Sequence, residues 1–308
     1  MNPSDPDEDL GLIASLGGES PKQTDPGGDS AAIPSKTKII LLVGHVVSVF
    51  VMGGPAIALI ATSDTVTEFE YNIKITDVDK VDGVLVSKNR IINHGNPLDV
   101  VAVVLFITAV AHLVQLLLWT FYVKWLANKH SPIRWMEYSL SAGLIMVTVA
   151  VLAMVQNIWN LLGIFFGTFT AVVFFYMAEE PQPLDWKKNW TPKVAAQMTW
   201  KWIDPPKVGK TLMAAGLFLG AWLPILYNFG DAAADTAVGS DMPAFVYVLI
   251  NFMPGLFLLF PLILGLINSG VVAYATGEVM FMGFSLVTKT MLWIIVLSGL
   301  SSGPPPVF

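Results

Sequence analysis

Cysteine is absent from the 308 residues, which excludes disulfides, thiolate metal sites and thiol nucleophiles. Histidine is scarce, with four scattered along the chain and none at zinc-ligand spacing. Charge is scarce as well. Only 13% of residues are charged and the net charge is -6, carried mostly by the ends and loops, so no basic face for nucleic acid exists. No cleavable secretory signal is expected, because the first apolar run starts near residue 39, behind an acidic leader. What the chain has instead is apolar length. It is 54% hydrophobic with a mean hydropathy of +0.64, the composition of an integral membrane protein.

Residues 1–36 are rich in Pro, Gly, Asp and Ser and read as a disordered tail. Hydrophobic runs follow at about 37–62, 99–126, 134–156, 158–178, 209–229, 243–267 and 274–300. Each is long enough for a helix to cross ~30 Å of hydrocarbon. The expected fold is an all-α bundle of seven transmembrane helices spanning 37–300, with a tail at 301–308. Gln156-Asn157 and Trp159-Asn160 supply the turn between spans three and four.

Basic residues orient the bundle. Twelve fall on the N-terminal side: Lys22, Lys36, Lys38, Lys124, Lys129, Arg134, Lys187, Lys188, Lys193, Lys201, Lys207 and Lys210. Four fall on the other: Lys74, Lys80, Lys88 and Arg90. The N-terminus is therefore expected in the cytoplasm and the C-terminus outside.

The outer loop 63–98 alternates apolar and polar residues over Val66–Ile75 and Val84–Ile92, which predicts a β-hairpin turning at Asp77–Gly83. A lone hairpin is marginal in water, so it should pack on the outer face or on a partner protomer. The inner loop 180–208 mixes Trp186, Trp190, Trp200 and Trp202 with lysines, the composition of a membrane-surface segment.

Chemistry centres on Lys289, in the middle of the seventh run. A lysine so deep costs about 2.5–3.5 kcal/mol on insertion scales. It is an ion-pair partner, a pathway charge, or a desolvated amine able to form a Schiff base with a carbonyl ligand. Its ammonium form needs an anion. By elimination that anion is Glu137, since Asp99, Glu179, Glu180 and Glu278 all sit at expected span ends within reach of water. Glu137 counts nearer the inner surface than Lys289, so either the helices are staggered or the turn after span three protrudes.

Other polar groups fall in phase. Ser285 lies one turn before Lys289 and Ser141 one turn after Glu137. Thr108 and His112 stand four apart on span two, and His45 lies about two turns into span one. A single bundle histidine has a structural role by default, but two beside one acid point to a proton-holding cluster. On span six, Phe257, Phe260 and Pro261 fit plain core, or a clamp for a flat apolar ligand.

These residues carry a resemblance. Arg134-Trp-Met-Glu137-Tyr138, the Phe257-x-x-Phe260-Pro261 run and the mid-span Lys289 look like a microbial retinal-binding rhodopsin. Glu137-Tyr138-Ser139-x-Ser141, Gly277-Glu278 and Ser285-Leu-Val-x-Lys289, with His45 and His112, resemble the heliorhodopsins more specifically. The similarity covers about residues 37–300, and the inward N-terminus and β-like first outer loop suit that family.

The resemblance implies all-trans retinal on Lys289 as a protonated Schiff base, with Glu137 as counterion and Tyr138 in the site. It implies a dimeric, non-enzymatic light sensor of the plasma membrane, embedded in lipid, that moves a proton internally without pumping. Two alternatives stand beside it. One is a light-gated proton conductor with an inner pathway through Glu278. The other is a colourless seven-helix transporter or scaffold in which Lys289 makes a structural ion pair.

Overall fold

The structure, a computed structural model, describes residues 33–66, 71–81, 84–179, 205–235, 242–268 and 271–301. The elements run α1 (Ser35–Val66), β1 (Tyr71–Val81), β2 (Val84–Gly95), α2 (Pro97–Leu117), α3 (Trp119–Ala127), α4 (Pro132–Leu152), α5 (Ile158–Ala178), α6 (Pro205–Ala234), α7 (Ala244–Asn268) and α8 (Tyr274–Ser301). Seven of the helices are long and apolar enough to cross a membrane. The expected bundle is present. The leader before residue 33, the stretch 180–204 and the tail 302–308 lie outside the described residues, so the disordered tail and most of the expected surface segment do too.

The runs become helices because a chain in hydrocarbon must satisfy its own backbone polar groups. Where they stop is set locally. Asn96 caps α2, its side chain accepting from the Leu98 amide at 2.9 Å, with Pro97 pre-set for the first turn. The run read as 99–126 breaks at Leu118 into α2 and α3. Backbone bonds of 2.9 Å, Leu118 to Val114 and Tyr122 to Leu118, carry through the break. Both α3 and α4 end in Schellman motifs: Lys129 bonds back to Leu126 and His130 to Trp125, and Met154 bonds to Val151 and Val155 to Ala150. Lys129 and Met154 take the left-handed position, with φ of 54° and 69°, that glycine usually fills.

α4 is the most enclosed span, packing against α2, α5, α6 and α7, while α8 lies against α7, α1 and α2. The apolar core runs along α4 through Ile145, Met146, Val149 and Ala150. α4 therefore offers its side chains to the middle of the bundle.

The hairpin forms, with different limits. β1 and β2 pair antiparallel from Tyr71↔Gly95 to Val81↔Val84, with a bulge at Ile73/Lys74. Asp77 to Val81, expected in the turn, belong to β1, and only 82–83 separate the strands. The register sets Asp77 opposite Lys88. Val66 ends α1 rather than starting a strand.

The hairpin docks on the α4–α5 turn. The Lys74 amide donates to the Gln156 carbonyl at 2.9 Å, and Asn157 Nδ2 donates to Thr76 Oγ1 at 2.9 Å. Asn157 is also the N-cap of α5, accepting from the Trp159 and Asn160 amides. Asn157→Ala is expected to lower stability by about 1 kcal/mol through the lost cap and to speed proteolysis of the hairpin. Unaltered proteolysis would remove the docking role from this side chain.

Candidate functional site

α8 brings Lys289 to the axis of the bundle and α4 brings Glu137 to meet it. Lys289 Nζ is ion-paired to Glu137 Oε1, and both side chains are only 4% exposed. The same Nζ donates to Ser285 Oγ at 2.9 Å. Glu137 Oε1 also accepts from Thr108 Oγ1 on α2, at 2.7 Å. The apparent mismatch in depth is closed by stagger together with side-chain reach: Ser131, just before α4, meets Glu278, already four residues into α8. A helical side chain leans toward its helix N-terminus, and the lysine runs back one turn to Ser285. Buried ions are tolerated only when paired and hydrogen-bonded, and here each has both.

On one side of this pair lies an apolar cavity. Lys289 and Thr288 of α8, Tyr138 and Ser141 of α4, and Phe257, Phe260 and Pro261 of α7 all border it, with Phe218 of α6 and Trp135 of α4. Phe257 tilts against Phe218 at 5.1 Å between centroids. Phe260 stacks on Phe281 at 6.1 Å and meets Tyr138 edge-on at 5.2 Å. The Tyr138 hydroxyl donates to the Phe281 carbonyl at 2.8 Å, which fixes the ring 5.3 Å from Lys289 Nζ. Leu219 and Leu258, both largely exposed on the outside of the bundle, border the same cavity. Ser141 lines the cavity, and Ser285 both lines it and bonds to Lys289.

On the other side lies a small polar cavity, bordered by His45, His112, Gln115, Arg134, Glu137, Tyr138 and Glu278. The two imidazoles meet Nδ1 to Nδ1 at 2.7 Å, so one donates and the other accepts. Thus the structure brings His45, His112 and Glu278 together beside Glu137.

Beyond this cavity is a centre that sequence reasoning did not resolve. Arg134 is buried and ion-paired to both Glu179 and Glu278, with its guanidinium 4.8 Å from the Trp135 ring and 4.4 Å from that of Phe281. Glu179 also accepts from Trp135 Nε1 at 2.6 Å and from the Tyr274 hydroxyl at 3.1 Å. Glu278 Oε1 accepts from Ser131 Oγ at 2.8 Å and from Tyr122 at 3.1 Å. Two expectations are corrected here. Glu179 and Glu278 are buried, not water-accessible span ends, because α3 and the Ser131 turn cover Glu278 while Trp135 and Tyr274 enclose Glu179. Arg134, counted among the basic loop residues, is a core residue; the remaining split of eleven against four keeps its sense. The signal was present in the sequence, since Arg134 precedes Glu137 by three and shares its helix face.

An apolar, aromatic-lined cavity with one paired amine on its wall fits a slender hydrophobic aldehyde. The rings present faces for a polyene, and among the described residues the sole cation bordering the cavity is the lysine. A search of curated proteins finds no match to this chain. The heliorhodopsin family pattern matches residues 45–300, most of the length, from the His45 histidine through the Lys289 helix. With the seven spans and the lysine–carboxylate pair in place, the chain belongs to the heliorhodopsins, membrane proteins that bind retinal and sense light.

Proposed function

We propose that this heliorhodopsin carries all-trans retinal on Lys289 as a protonated Schiff base, with Glu137 as counterion, and that it senses light without pumping. The observation that carries the reading is the ion pair of Lys289 and Glu137 on the wall of the apolar cavity. When bound, retinal supplies light absorption and a change of shape at the lysine nitrogen.

The chain supplies the rest. Phe257, Phe260, Pro261 and Tyr138 confine the polyene, and Ser141 and Ser285 place hydroxyls along its length. Glu137, steadied by Thr108, holds the positive charge at the lysine nitrogen. His45 and His112 lie across the polar cavity, where they take the nitrogen's proton after illumination. The reading is a sensor's, not an enzyme's.

The absence of pumping has a structural motive. Among the described residues, every buried charged side chain other than Lys289 lies toward the end of the bundle opposite the hairpin. Among the described residues, no buried carboxylate or histidine continues a relay to the hairpin end. With that opposite end in the cytoplasm of a plasma-membrane protein, and a second copy as a dimer partner, light moves a proton within the protein and not across it. A voltage-clamped cell expressing the protein is expected to show no steady photocurrent. A sustained current that Glu137→Gln abolishes would replace this reading with the light-gated conductor.

A further inference from the structure

The buried charges among the described residues do not balance. Three carboxylates, Glu137, Glu179 and Glu278, share the interior with two cations, Arg134 and Lys289. An uncompensated anion in hydrocarbon is costly and is relieved when it takes a proton. No cluster of three carboxylates or histidines suited to a metal ion occurs among the described residues. Glu137 is spoken for by Lys289, which leaves the two acids on Arg134.

Hydrogen-bond chemistry separates those two. Glu179 accepts from the Arg134 guanidinium and from Trp135 Nε1, both donors that have no way to accept, and from Tyr274. A carboxylate held this way is fixed as the anion. Glu278 meets Arg134 through Oε2, a contact that the carbonyl oxygen of a neutral acid can also accept, while its Oε1 meets two hydroxyls, Ser131 and Tyr122, and a hydroxyl accepts as readily as it donates. Burial pushes the Tyr122 phenol up, so it stays a neutral hydroxyl.

Ser131 adds a second sign. It occupies the N-cap position of α4 yet makes no capping bond, and its hydroxyl is turned to Glu278. The helix forgoes a stabilising cap of about 1 kcal/mol to place a hydroxyl there. Facing Glu278 are Arg134 and Glu137 of α4, Tyr122 of α3, His112 of α2 and His45 of α1, with Glu179 across Arg134. The histidine pair is a poorer holder of the extra proton. One proton already lies between its two Nδ1 atoms, and His45 Nε2 is buried with no hydrogen-bond partner.

We infer that Glu278 is a neutral carboxylic acid at rest, its proton on Oε1, and that it is the donor that returns a proton to the Lys289 nitrogen through the polar cavity. In that step the Oε1–H bond breaks, the lysine nitrogen gains the proton, and Glu278, left as an anion beside Arg134, takes up the proton that the histidine pair received, which restores the resting state. The resting proton stands on geometry alone. The donor role deepens the retinal reading and rests on it.

Infrared spectroscopy of the full chain in lipid vesicles, before any retinal is added, tests the resting proton. The expected spectrum has a protonated-carboxyl C=O stretch that moves in deuterium oxide. It is lost in Glu278→Gln and returns at a shifted frequency in Glu278→Asp. Glu278→Gln copies the neutral acid in shape, so it should fold with wild-type helicity. A band that survives Glu278→Gln, or a Glu278→Gln protein that does not fold, overturns the proposal.

After retinal is added, Glu278→Gln should slow recovery of the dark state roughly a hundredfold, the loss typical of a missing general acid. Unchanged recovery removes the donor role and leaves the resting proton. A wild-type protein that shows the band yet stays colourless sinks the retinal reading, not the proton site.

Discussion

Replacing Lys289 by alanine is expected to give a protein that stays colourless when retinal is supplied, while the wild type turns coloured. The expectation follows from the cavity, which Lys289 borders as its one amine among the described residues. Arg134, the other buried cation among the described residues, borders the polar cavity and is held by two carboxylates. Borohydride reduction of the wild-type pigment should add one retinyl group, and peptide mapping should find it on Lys289. A visible band that persists in Lys289→Ala would end the assignment of this residue. Folding should not confuse the result, because Glu137, once unpaired, can take a proton and remain buried as a neutral acid.

Glu137→Gln is expected to have the second-largest effect. Among the described residues Glu137 is the one carboxylate paired with Lys289, and removing one partner of a buried pair typically costs about 3–5 kcal/mol. The amide keeps the size of the acid and can still accept from Thr108, but it no longer neutralises the cation. In acid, where the nitrogen keeps its proton, the visible band should move to longer wavelength, since the anion stabilised the ground state. As pH rises, a near-ultraviolet band should replace it at a lower pH than in the wild type. Absorption spectra across a pH series check both parts. A spectrum indistinguishable from wild type would mean that another group balances the lysine.

Much of this architecture was legible because its signals are long. Seven apolar runs hardly admit another reading, and a lysine amid the last of them is conspicuous at any window length. The elements that escaped have short or ambiguous signals. Helix ends at Ala127 and Leu152 are closed by Lys129 and Met154 in the position where glycine would have announced them. Asp77 to Val81 are polar enough to pass for a turn, and only the strand register reveals their partners.

The Arg134 centre escaped for a different reason. Closeness to a span end says how far a residue is from the membrane surface along its own helix, not what the neighbouring helices place over it. Tyr122, Ser131 and Tyr274 come from three places in the chain, and their convergence on Glu179 and Glu278 is a property of packing. By contrast, the partnership of Ser285 with Lys289 could be read directly, since four residues make one helical turn.

The contact between Asn157 and Thr76 also orders events during synthesis. The hairpin leaves the ribosome right after the first span, but the turn that seats it is made some eighty residues later. Until then its two strands have only each other, too little to hold a ribbon in water. The nascent chain thus carries an unanchored segment through the insertion of two further spans, and the fourth span's first turn is what finally fastens it.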